Sequence, residues 1–70
     1  MTSFKDLIAR WPTLAEFHRA VGVPYQRARK WRDRNSIPPA YWSAVITACR
    51  NEGYKDVSFE ALAELSREAA

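Results

Sequence analysis

Seventy residues with 47% apolar and 13% aromatic content make one domain with enough material for a packed core. Eleven Lys+Arg against eight Asp+Glu give a net charge of +3, and the short, charge-interrupted apolar runs exclude a membrane span. Cys49 is the only cysteine, which excludes an internal disulfide and a thiolate metal cluster. No charged segment followed by an apolar one opens the chain, so no secretory signal is read and a cytoplasmic, nucleoid-associated protein is expected.

Apolar spacing predicts five short helices and no strand. Phe4, Leu7, Ile8 and Trp11 follow the i, i+3, i+4, i+7 pattern of one helix face. Ser3 and Asp6 resemble a capping box at its start, and Pro12 ends it. Thr13-x-x-Glu16 is a better box and opens a second helix, which buries Leu14, Phe17 and Val21 and stops at Gly22. A third helix starts at Pro24, whose φ is preset and whose missing N–H costs nothing there. It faces inward with Ala28 and Trp31 and closes at Asn35-Ser36. After a stiff Ile37-Pro38-Pro39 elbow, a fourth helix begins at Pro39. Its inward stripe is Trp42, Val45, Ile46 and Cys49, and it terminates at Gly53. Ser58 caps a last helix, at about 58–69, carrying Phe59, Leu62, Ala63 and Leu65. The expectation is an all-α, compact bundle of five short helices forming a single domain over residues 1–70.

The charge is not spread along this frame. Residues 26–34 hold five of the eleven basic residues and one of the eight acidic ones, a local net charge of +4 that leaves −1 for everything else. Such a segment meets something negative. Two helices joined by a tight turn, the second strongly basic, describe a helix-turn-helix at about 13–34. Gly22 supplies the backbone freedom for the corner and Val23 plugs its inside. The outer face of the second helix is then free for the major groove of duplex DNA.

Residues 14–31 resemble the helix-turn-helix of phage Cro and repressor proteins, most of all the YdaS-like, Cro-related regulators. The resemblance rests on the Gly22-Val23 step, Gln26 four residues after the Gly, Lys30-Trp31 eight and nine after it, and the Arg-rich passage into Ile37-Pro38. It covers a quarter of the chain by motif and most of it by helix order. Two positions depart from the family: His18 stands where a small residue is usual, and Pro24 where a Ser or Thr often caps the recognition helix. The resemblance implies a Cro/lambda-repressor-like fold and DNA contact through Pro24, Tyr25, Gln26 and Lys30, with Arg27 and Arg29 beside them. It also implies a phosphate near Thr13, at the amino end of the second helix.

Side-chain chemistry sorts these residues. Gln26 suits adenine N6 and N7, Arg27 or Lys30 suits guanine O6 and N7, and Tyr25 offers its ring to a thymine methyl or its hydroxyl to a phosphate. Arg29, Arg32 and Arg34 are read as phosphate contacts, with Thr13 and Ser36 as further candidates. RNA and an acidic protein surface attract the same charge, and a solvated helix face is the plainest alternative. Trp31 and Trp42 are assigned to the core and Tyr41 to a partly exposed place. His18 is read as a helix-packing residue and Cys49 as a small buried hydrophobe. Glu60, Glu64 and Glu68 form an acidic ridge, either solvated or a protein contact.

The expected function is sequence-specific duplex-DNA binding by a Cro-like repressor acting as a homodimer on a palindromic operator. The competing expectation is an interaction module such as an antitoxin, bound to its toxin, or an RNA polymerase adaptor. No paired carboxylates, activated nucleophile, phosphate loop or metal cluster is present in the sequence, so neither an enzyme nor a cofactor is expected.

Overall fold

The computed structural model describes residues 2–69, with side chains through Arg67. It is all-helical: α1 (Phe4–Ile8), α2 (Leu14–Val21), α3 (Tyr25–Arg34), a 3₁₀ turn (Pro39–Tyr41), α4 (Trp42–Asn51) and α5 (Phe59–Ala69). No strand occurs and no helix is long and apolar enough to cross a membrane, both among the described residues. α3 packs on α1 and α2, α4 packs on α2, and α5 closes on α4. A single core runs through all five helices, with Phe4, Leu7, Phe17, Ile37, Val45, Cys49 and Leu62 at its centre.

Helix starts follow the short polar residues. The Ser3 hydroxyl accepts from the Asp6 amide (3.1 Å), Thr13 from that of Glu16 (3.2 Å) and Ser58 from that of Ala61 (3.1 Å). Each satisfies one of the amides a helix start leaves unpaired. The reciprocal half of the boxes takes another form. The Asp6 carboxylate is bound by the amide and hydroxyl of Thr2, which holds its pKa below the usual carboxylate range. The Glu16 carboxylate accepts from the Thr13 hydroxyl (3.4 Å).

Three helices end in the same way. Gly22 (φ 85°), Asn35 (φ 52°) and Gly53 (φ 85°) take the left-handed conformation after α2, α3 and α4. In each, the next amide reaches back to a carbonyl of the last turn: Val23 to His18 (3.1 Å), Ser36 to Trp31 (3.1 Å) and Tyr54 to Cys49 (2.8 Å). This is the Schellman pattern, which removes orphan carbonyls from solvent. Asn35 has a second role, because its side-chain oxygen accepts from the Lys5 amide (3.0 Å) and so caps α1 from a distance of thirty residues.

Several boundaries differ from the sequence reading. α1 stops at Ile8, not at Trp11, because residues 9–11 tighten: the amides of Arg10 and Trp11 bond to carbonyls three residues back (both 3.2 Å). Pro12 bars its predecessor from the α region and so forbids continuation, yet Trp11 stays buried. Pro24 precedes α3 instead of opening it, and Pro39 opens the 3₁₀ turn, with α4 proper starting at Trp42. Trp42 is half-buried, not core, because its indole N–H donates to the Ile37 carbonyl (2.7 Å) and so sits at the edge of the elbow. Phe59 is 58% exposed. The first turn of α5 leaves the bundle before the stripe of Leu62 and Leu65 enters it, and Val57, ahead of the helix, takes the inner place.

Aromatic rings form a ladder through the core. Tyr54 meets Trp11 (5.6 Å between centroids), Trp11 meets Phe17 (5.1 Å), Phe17 meets Trp31 (6.4 Å) and Trp31 meets Tyr41 (5.1 Å). All but the last are edge-to-face, the arrangement favoured by the ring quadrupole. A guanidinium stands at each end, Arg10 over Tyr54 (5.1 Å) and Arg27 over Tyr41 (5.0 Å). At the Tyr54 end, Arg10 also holds Asp56 with two hydrogen bonds (2.7 and 2.6 Å), and the Tyr54 hydroxyl donates to the Arg10 carbonyl (3.1 Å). This clasp joins the α1–α2 loop to the α4–α5 loop and drops the Asp56 pKa to about 2.

Candidate nucleic-acid interface

α3 divides its residues by the helical repeat. Ala28 and Trp31 are the buried pair, and Tyr25, Gln26, Arg27, Arg29, Lys30, Arg32, Asp33 and Arg34 are all exposed. The +4 segment is therefore one solvent-facing surface with a dry back. The two packing residues do different work: Ala28, fully buried, permits close approach, and Trp31 fills the space beyond it against Phe17 and Tyr41. Truncating a buried aromatic costs about 3–5 kcal/mol, more than the ~1–3 kcal/mol a base stack returns. Trp31 stays in the core.

The corner before α3 is held by α2. His18 is half-buried, and its Nδ1–H donates to the Val23 carbonyl at 3.0 Å. The same ring meets the Tyr25 ring edge-to-face at 5.6 Å, a contact on one side of a side chain that is 45% exposed. His18 thus packs the two helices through the turn. Pro24 contributes no side-chain cap, and its carbonyl accepts from the Arg27 and Ala28 amides (3.1 and 3.2 Å).

Two hollows flank α3. The first, about 450 Å³, lies between α3 and the Ser36–Pro38 elbow. It brings together Gln26, Arg27, Lys30, Arg34 and Ser36, and no acidic residue lines it. The second, about 480 Å³, lies on the α1 side and brings Thr13 next to Arg32 and Asp33, with Lys5 contributed by α1. Tyr25 and Arg29 line neither. Thr13 is therefore separated from the main group, and its hydroxyl is already engaged with Glu16.

The cations are not equivalent. Asp33, the one acid of α3, lies 3.8 Å from Arg29 and 3.5 Å from Arg32, all three side chains being exposed. Exposed pairs of this kind are worth about 0–1 kcal/mol, so Asp33 holds neither guanidinium firmly. Lys30 and Arg34 have no ion partner among the described residues, and Arg27 is held only by the Tyr41 ring. Lys5, Pro38 and Tyr41 were not singled out by sequence as parts of this surface. The only local hint was Tyr41 itself, an aromatic residue placed just after two prolines with no place in the α4 stripe.

Cys49 is remote from this surface. It is buried on the inner face of α4, and burial pushes its thiol up to about 11, which keeps it protonated and inert at neutral pH. Compared with family models, curated proteins and solved structures, the chain matches none.

Proposed function

We propose that this chain is a sequence-specific duplex-DNA-binding regulator of the Cro-like type, in which α2, Gly22-Val23-Pro24 and α3 form a helix-turn-helix and α3 enters the major groove. The observation that carries the reading is the acid-free hollow beside α3, where Gln26, Arg27, Lys30 and Arg34 converge on one side of a helix whose other side is sealed. Cations supply affinity for the phosphate backbone, and the uncharged Gln26 at the first turn supplies base discrimination. One such helix reads too few base pairs to mark a site in a genome, so the protein acts as a symmetric dimer on a palindrome, with half-sites about one helical turn apart. Repression in the cytoplasm follows from simple occupancy of such an operator.

The test is binding to random-sequence duplex across a salt series. Six phosphate contacts per dimer give a slope of log K against log salt of about −5. A flat dependence sinks the reading.

One observation favours a second reading, an interaction module such as an antitoxin or an RNA polymerase adaptor: Phe59 stands 58% exposed at the start of acidic α5, next to Glu60. Glu68, the third member of the acidic ridge, lies outside the described side chains, and Glu64 is paired with Arg67 at 2.6 Å. Absence of duplex binding, together with a protein partner that the parent chain binds and Phe59→Ser does not, would favour this second reading.

A further inference from the structure

Arg27 differs from its neighbours in being held. Its guanidinium lies 5.0 Å from the centroid of the Tyr41 ring, and that ring is backed by buried Trp31 at 5.1 Å. Tyr41 belongs to the 3₁₀ turn, not to α3, so the contact is made across the elbow. A guanidinium held against a ring face by its charge still has five N–H donors, and its planar fork matches two oxygens of one phosphate. The place it occupies is the wall of the hollow it shares with Lys30, Arg34 and Ser36. By the helical repeat of about 100° per residue, Arg27 flanks the buried Ala28 and Trp31 stripe, whereas Gln26 points away from it. Arg27 is therefore at the side of the helix, towards the elbow, where a groove-seated helix meets the DNA strand.

We infer that Tyr41 is a positioning residue that fixes Arg27 as a contact to a backbone phosphate, and that Arg27 does not read a base. This rests on the duplex-DNA reading above and assigns Arg27 a different role from the one its residue type suggested. Trp31 sets the Tyr41 ring, the ring sets the guanidinium, and the guanidinium, with Arg34 and Lys30, grips one phosphate of the strand that runs along the elbow. The ring loses no rotamer freedom on binding, because packing has already fixed it.

The experiment measures binding of the full chain to two duplexes, one selected for tight binding and one scrambled, over a salt series. Tyr41→Leu weakens both duplexes alike, by about two- to fivefold, and leaves the salt slope unchanged, since the charge is still present. Tyr41→Phe keeps the ring and binds as the parent does. Arg27→Lys, at an exposed position with no risk to the core, keeps the slope and loses affinity on both duplexes. Arg27→Ala also lowers the magnitude of the slope by about 1 per chain. Inorganic phosphate at matched ionic strength leaves duplex binding unchanged.

Parent-like binding by either Tyr41→Leu or Arg27→Lys overturns the inference, as does a loss confined to the selected duplex, which would make Arg27 a base reader. Displacement of the duplex by inorganic phosphate at matched ionic strength overturns it in favour of a free-phosphate site. Should Tyr41→Leu be unfolded by circular dichroism, the Arg27→Lys result decides alone. Failure of the parent chain to bind either duplex overturns the DNA reading itself, and this inference falls with it.

Discussion

Side chains can line one hollow and still differ in what they do. Gln26 and Arg34 line the same hollow, one at the first turn of α3 and one at its last. An amide discriminates by pairing two donor and acceptor sites of adenine, whereas a guanidinium at the helix end meets a backbone that is the same in every sequence. Gln26→Ala is expected to cost about 1–3 kcal/mol on the preferred operator and to relax the preference at one base pair. Arg34→Ala is expected to weaken all duplexes equally. Equal shifts of every duplex by both variants, read by fluorescence anisotropy, would show that the roles are misassigned. The charge of residues 26–34 is legible from composition, and residue type suggests roles within it, but which of its cations are held by a neighbour is not legible. Tyr41 and Arg27 meet across an elbow, and no local pattern encodes a contact made after the chain has turned.

Elements begin and end here for reasons that are short-range, and these were the most legible parts of the fold. Ser3, Thr13 and Ser58 cap, and Gly22 and Gly53 stop, because a cap needs only its own next three or four residues. The lengths in between were less legible. The stripe of α1 continues to Trp11 as a pattern, but Pro12 ends the helix earlier than the pattern does. Phe59 fits the period of α5 and still lies outside, because periodicity gives a direction and not the point at which two helices meet. The α2–α3 corner makes a sharp prediction at Gly22, where φ is 85° and a Cβ would meet nothing within 4 Å. Gly22→Ala therefore carries no clash, only the left-handed backbone penalty of about 1–2 kcal/mol. Chemical denaturation should show that loss, with Gly22→Asn losing less. Parent-like stability of Gly22→Ala would mean the corner relaxes out of the left-handed region.

For the whole molecule, the Arg10–Asp56 clasp joins loops forty-six positions apart and was invisible in the sequence, since neither residue belongs to a recognisable local motif. Its carboxylate has a folded pKa of about 2, below the ordinary aspartate value of about 3.9. Because the folded pKa is depressed, the clasp contributes fully above pH 4, and its contribution is lost as pH falls from about 4 towards 2. Asp56 is more than half exposed, so solvent screening limits the contribution to about 0.5–1 kcal/mol. Asp56→Asn should lower stability by that amount at pH 7 and merge with the parent near pH 2 in thermal melts. A difference that persists unchanged at pH 2 would assign the effect to packing against Tyr54, not to charge.

The ladder of rings has an optical consequence. Trp31 sits one ring from Arg27, while Trp11 sits one ring from Arg10 at the opposite end. If Arg27 seats a phosphate as inferred above, the electric field changes at Trp31 and at Trp42, which is tied to the Ile37 carbonyl in the same elbow, while Trp11 keeps its original surroundings. On that inference the protein carries its own fluorescent reporters, Trp31 and Trp42, on the side of the hollow and its own reference, Trp11, beside the clasp, with no dye attached.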